Sequence, residues 1–247
     1  MHKYIKLGRE EKLHYLEFGN GKPLVLVPSL WVTSKSYVTL GQELAKYYKV
    51  FIPDVFRGNS VFSKEARNIE DYVTKLVQFI NSLNLKNYYL IGVSLSGIVV
   101  KKYILNYSHK PKRVFLVSTT VLPLNIERQK LTLFWGYLKL LYHNLFSMKG
   151  IAIDLMWIID GLGSAKKHFR QAINEGSIAA SLVIDNIKSL PVPTKLLFAR
   201  YDEFIPLESV KRLLKIKNLE VEIVKEYHGW FFGREEELAR RVIKFFK

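Results

Sequence analysis

Along this chain of 247 residues, short apolar runs alternate with stretches whose apolar residues recur every three or four positions. Residues 4–7 and 13–18, separated by a charged turn, predict an opening antiparallel hairpin. Residues 24–28, 50–53, 88–92, 114–118, 194–199 and 221–225 predict buried strands. Between them, residues 34–47, 69–83, 95–107, 208–214 and 235–246 carry apolar side chains at helical spacing. Such alternation predicts an α/β fold with a mostly parallel central sheet flanked by helices. In the last helix Glu235, Glu236 and Glu237 come first and Arg240, Arg241 and Lys244 follow, an order that complements the helix dipole.

One region breaks the pattern. Residues 121–190 contain no clear strand, only helical patterns rich in Leu, Phe, Trp and Tyr. They predict a helical cap inserted after the sixth strand, with residues 1–120 and 191–247 forming the core. Aromatic side chains of the insertion either line an apolar pocket or pack the cap itself. Phe134, Trp135 and Trp157, with Trp31 from the loop after the third strand, are the pocket candidates.

Composition narrows the chemistry. With no cysteine, disulfides, thiolate metal sites and a cysteine nucleophile are excluded. The net charge of +16 raises the affinity of any protein for polyanions. Here, however, the basic residues are scattered through many segments at solvent-face spacings, as at Lys101 and Lys102 or Lys166 and Lys167, which points away from specific nucleic-acid binding. Many Lys and Glu with few Met suit a protein of a hot habitat. The amino terminus lacks the pattern of a signal peptide, and the longest apolar stretches fall short of the roughly 20 residues that span a membrane, so a cytoplasmic protein without a membrane span is expected.

The chemistry begins at Gly92-Val93-Ser94-Leu95-Ser96-Gly97, where a β-rich run gives way at once to a helical pattern. A serine there stands at a strand-to-helix turn, and the free N–H groups of the helix start face any anion that forms beside it. This segment resembles the nucleophile elbow of the α/β-hydrolase family, Gly-x-Ser-x-Gly, often followed by a further Gly. Ser96 stands where the family has the first glycine after the nucleophile, and Gly97 matches the next.

The resemblance implies a serine, acid, histidine order along the chain, which sets aside His2 and His14 as bases. His109, His143 and His168 fall at a helix end or in the insertion. His228, between the last strand and the last helix, stands where the family places its catalytic histidine. Asp202, after the seventh strand and before Pro206, matches the acid, with Glu203 as the alternative. The backbone N–H groups of Leu30 and Leu95 match the oxyanion-hole donors, although Pro28-Ser29 replaces the family's usual His-Gly before the first of them. The loop from Asp54 to Ser60 looks like a variant of the family's Asp-x-Arg-Gly-x-Gly-x-Ser loop, with a structural role.

The resemblance therefore implies a serine hydrolase needing no metal or organic cofactor. The apolar insertion favours a small, mainly apolar ester as substrate, while amides, lactones, thioesters and carbon–carbon bonds beside a ketone stay open, since the family uses this constellation for many reactions. A noncatalytic ligand-binding member of the same fold is the alternative. The natural substrate and the oligomeric state stay open.

Overall fold

The computed structural model describes residues 1–29, 32–56, 58–64, 66–119 and 187–247, together with Tyr142 and Ile159. Within these residues each predicted strand forms: β1 (His2–Lys6), β2 (Lys12–Phe18), β3 (Lys22–Val27), β4 (Tyr48–Pro53), β5 (Tyr89–Val93), β6 (Arg113–Val117), β7 (Ser189–Ala199) and β8 (Lys217–Val224). They build one sheet in the order β1-β2-β4-β3-β5-β6-β7-β8. The first two neighbour pairs in that order are antiparallel and the other five parallel.

Five α-helices accompany the sheet among the described residues: α1 (Val38–Ala45), α2 (Ile69–Ser82), α3 (Ser96–Asn106), α4 (Glu208–Leu213) and α5 (Glu235–Phe246). None is long and apolar enough to cross a membrane. The start of α2 is set by a capping box. The Asn68 side chain accepts from the Asp71 N–H and the Asp71 side chain accepts from the Asn68 N–H, which satisfies two groups the helix would otherwise leave open.

The strands hold their place because their side chains alternate between two cores. Leu90, Val114, Leu116, Leu196 and Phe198 join the cluster beneath α2 and α3. Their neighbours Tyr89, Ile91, Phe115, Val117 and Leu197 join the cluster beneath α1 and α5. Each fully buried Leu, Ile, Val or Phe contributes about 1.5–3 kcal/mol of transfer free energy, so slipping a central strand by one residue would forfeit both cores.

Beyond small shifts at strand ends, such as the start of β8 at Lys217, three details differ from the sequence expectation. The first turn of the helix expected over 34–47 is a 3₁₀ turn, Ser34–Tyr37, opened by Thr33, whose side chain accepts from the Lys35 N–H. β7 starts five residues early because Pro191 and Pro193, which interrupt the sequence pattern, are absorbed by a register irregularity between Ser189 and Thr194. Lys101 is buried at 4% exposure, against its solvent-face expectation, on a helix that packs against both α2 and the sheet.

The chain leaves β3 through α1 to reach β4 on one side, and leaves β5 through α3 to reach β6 on the other. Neighbouring strands that part in this way open a crevice beyond their C-terminal ends.

Candidate active site

Ser94 follows β5 directly with φ at +53°, a left-handed conformation that costs a non-glycine residue about 1–3 kcal/mol. Two features hold it there. Its N–H donates to the Val117 carbonyl of β6 at 2.9 Å, extending the ladder past the strand. The turn is also tightly packed: a Cβ on Gly92 would approach Gly97 Cα to 2.9 Å, and one on Gly97 would collide with the Thr119 side chain. Both positions therefore require glycine.

Ser96 is fully buried. Its hydroxyl accepts from the Val93 N–H at 2.7 Å and lies 2.8 Å from the Val27 carbonyl and 2.9 Å from the Val93 carbonyl, to which its single proton is directed. The ends of β3 and β5 are thus pinned together by one side chain. Leu95 stands immediately before α3, where a helix leaves N–H groups without intrahelical partners. Before α1, the Ser29 N–H donates to the Tyr37 hydroxyl at 3.1 Å.

His228, in the loop between β8 and α5, meets Ser94 and Asp202 at once. Its Nε2 lies 3.0 Å from Ser94 Oγ and its Nδ1 lies 2.7 Å from Asp202 Oδ2. An ionised carboxylate only accepts, so Nδ1 carries the proton and Nε2 is left to accept from the serine hydroxyl. Asp202 is oriented in turn by the Phe204 and Ile205 N–H groups, each 2.9 Å from Oδ1. The edge of the Phe204 ring packs on the imidazole, with centroids 4.8 Å apart. Burial on its own would lower the His228 pKa. The charge and hydrogen bond of Asp202, with the charge of Glu203, outweigh it and raise the value above the ordinary 6.5.

Glu203, the alternative acid, does not touch the ring. Its Oε2 accepts from the His228 backbone N–H at 3.0 Å, while Ser118 Oγ donates to the His228 carbonyl at 2.7 Å. The sequence offers no period or motif for either contact, because both join loop residues far apart in the chain.

A second histidine–aspartate pair sits between β2 and the loop after β4. His14 Nδ1 lies 2.7 Å from Asp54 Oδ2, and Asp54 also accepts from the Ser34 and Asn59 N–H groups. His14 Nε2 meets His2 Nδ1 at 2.9 Å. The His109 carbonyl accepts from the buried Tyr88 and Tyr103 hydroxyls. His143 and His168 lie outside the described residues, as do the oxyanion candidate Leu30, the pocket candidates Trp31, Phe134, Trp135 and Trp157, and almost all of the expected cap. Among the described residues no three His, Asp or Glu side chains converge as metal ligands.

No family model matches the chain. Over 98 residues it is 26% identical to the (E)-2-((N-methylformamido)methylene)succinate hydrolase of Acinetobacter baylyi, a stretch covering 39% of this chain and 37% of that protein. The whole architecture is matched more widely. An alpha/beta hydrolase fold protein from Chitinophaga pinensis superposes with a TM-score of 0.82 at 16% identity, over 100% of this chain and 97% of that one. The enol-lactonase of Burkholderia xenovorans LB400 gives 0.80 at 16% identity, and an esterase of Exiguobacterium antarcticum gives 0.80 at 15%, each over 99% of both chains.

Proposed function

For a chain with the α/β-hydrolase fold, we propose that Ser94, His228 and Asp202 are the catalytic triad of a serine hydrolase. The observation that carries this reading is the continuous line from Ser94 Oγ through the His228 ring to Asp202, with contacts of 3.0 and 2.7 Å. The hydrolase, lactonase and esterase names of the similar proteins support hydrolysis at a carbonyl.

In the proposed reaction His228 Nε2 takes the Ser94 proton as Oγ bonds to the acyl carbon. The carbonyl oxygen becomes an oxyanion, held by the N–H of Leu95 and, from the loop after β3, that of Leu30. The intermediate collapses, the bond to the leaving group breaks, and His228 delivers the proton to that group. Water, deprotonated by His228, then attacks the acyl carbon; the bond from that carbon to Ser94 Oγ breaks, the carboxylic acid leaves, and His228 returns the proton to Ser94. No step calls on a metal or organic cofactor. The substrate class we favour is a small ester with an apolar acyl or aryl part, received between the core and the cap at residues 121–190. A cytoplasmic location completes the reading.

Fluorophosphonate labelling of the wild type, Ser94→Ala and His228→Ala, followed by turnover of p-nitrophenyl esters of graded chain length, tests it. Labelling and turnover are expected in the wild type, and both variants should lose at least about 10³-fold in rate. A folded wild type that neither labels nor turns over would overturn the reading in favour of a noncatalytic ligand-binding protein.

A further inference from the structure

His228 lies in a loop, where no sheet ladder or helix fixes its backbone, yet all three of its hydrogen-bonding sides are held by side chains. Asp202 takes the ring, Glu203 takes the N–H and Ser118 takes the carbonyl. The holders come from the ends of β6 and β7. Ser118 has φ at +44°, so its hydroxyl is presented by a left-handed residue of the kind that turns a chain at a strand end. Its own N–H donates to the Leu197 carbonyl of β7 at 3.0 Å, which anchors the holder to the sheet.

Resting on the triad reading above, we propose that Glu203 is a positioning residue for His228, fixing its backbone opposite Ser118 and setting a second negative charge beside the imidazolium. Sequence alone offers Asp202 and Glu203 as rival acids. In the structure they are partners, one on the ring and one on the main chain of the same residue. A neutral acceptor would have served for the N–H alone. A carboxylate with Oε1 buried and without a hydrogen-bond partner among the described residues costs free energy that the N–H bond does not require. Its charge is therefore the part that calls for a function.

The charged groups facing the His228 ring among the described residues are Asp202 and Glu203, both from the β7 to α4 loop. Ser94 after β5 and the Phe204 ring are neutral, and Ser118 is a hydroxyl. Burial raises the Glu203 carboxyl above its usual value, while the N–H groups of His228 and of Glu203 itself pull the other way. When ionised, Glu203 favours the protonated ring and so eases proton uptake from Ser94 as the oxyanion forms.

The test compares wild type, Glu203→Gln and Ser118→Ala, each checked for folding by thermal unfolding and for Ser94 labelling by fluorophosphonate. Gln keeps an acceptor for the N–H and removes the charge. The acid limb of kcat/KM, and the His228 ring titration followed by NMR in a Ser94→Ala background, should both move to lower pH in Glu203→Gln. Ser118→Ala should lose about three- to tenfold in kcat, one ordinary hydrogen bond's worth, with the limb unmoved. An unlabelled, folded wild type would sink the triad reading itself. A labelled enzyme whose Glu203→Gln limb and NMR midpoint stay where they were, or rise, would overturn the role of Glu203 alone.

Discussion

Among the described residues two histidine–aspartate pairs share the same Nδ1 to Oδ2 distance of 2.7 Å, His228–Asp202 and His14–Asp54. They differ in what the second ring nitrogen meets. At His228 it meets a serine hydroxyl, and the side chain keeps 12% of its surface exposed. At His14 it meets the ring of His2, and the pair is closed, at 0% and 1% exposure. Ser60 is beside His14 but contacts its backbone N–H, and its hydroxyl donates to the Asp54 carbonyl. The His14 pair ties β2, the 3₁₀ turn and the loop after β4 together through Asp54. Pair geometry alone therefore does not separate the two: what sets His228 apart is the strained serine and the open edge beside it, on which the proposed triad rests, and His14 has neither.

The two pairs should separate most clearly at their carboxylates. Asp202→Asn should lower kcat by about four orders of magnitude, because the ring then adopts the wrong tautomer, while the fold survives. Asp54→Asn should instead lower the unfolding free energy by about 3 kcal/mol, as a buried acceptor of three donors loses its charge, and leave kcat within a few-fold wherever the protein stays folded. Denaturant titration and steady-state kinetics on both variants check this. If Asp54→Asn is folded yet as inactive as Asp202→Asn, the two pairs share one role.

A smaller effect is read from pH. As the proposed base, His228 must be neutral to act, and its value is raised, so activity should decline on acidification with a midpoint above 6.5. The same shift means that proton binding favours the folded state. That stabilisation is complete below the unfolded-state value and disappears as pH rises through the folded one. A kcat/KM profile over this range should be unchanged in midpoint by His14→Gln, and a midpoint at or below 6.5 in the wild type would contradict the assigned environment.

Much of the fold was legible because each element announces itself locally. The runs that became β3 to β6 are continuous and apolar, and the periodic segment at 69–83 became α2 with its ends nearly as read. The starts of β7 and β8 were not legible. Pro191 and Pro193 look like a turn until a neighbouring strand absorbs the irregularity. At the candidate site, sequence order and loop position brought Ser94, Asp202 and His228 forward. The contacts that hold them were hidden, since they join residues such as Ser118 and His228 that are 110 positions apart. Ser96 read only as a departure from glycine. Its partner, the Val27 carbonyl, is 69 residues away in the chain and adjacent only once β3 and β5 pair.

That hydroxyl changes what the position can accept. Restoring a family's usual residue is a dependable engineering route to a sturdier protein, and matching the Gly-x-Ser-x-Gly pattern that this elbow resembles would install glycine at 96. The Val93 N–H would then lose its acceptor inside a closed core, at a cost of about 1–3 kcal/mol, and two strand ends would lose their clasp. Ser96→Gly is therefore expected to weaken the fold, and a designer guided by the family pattern would make that change first.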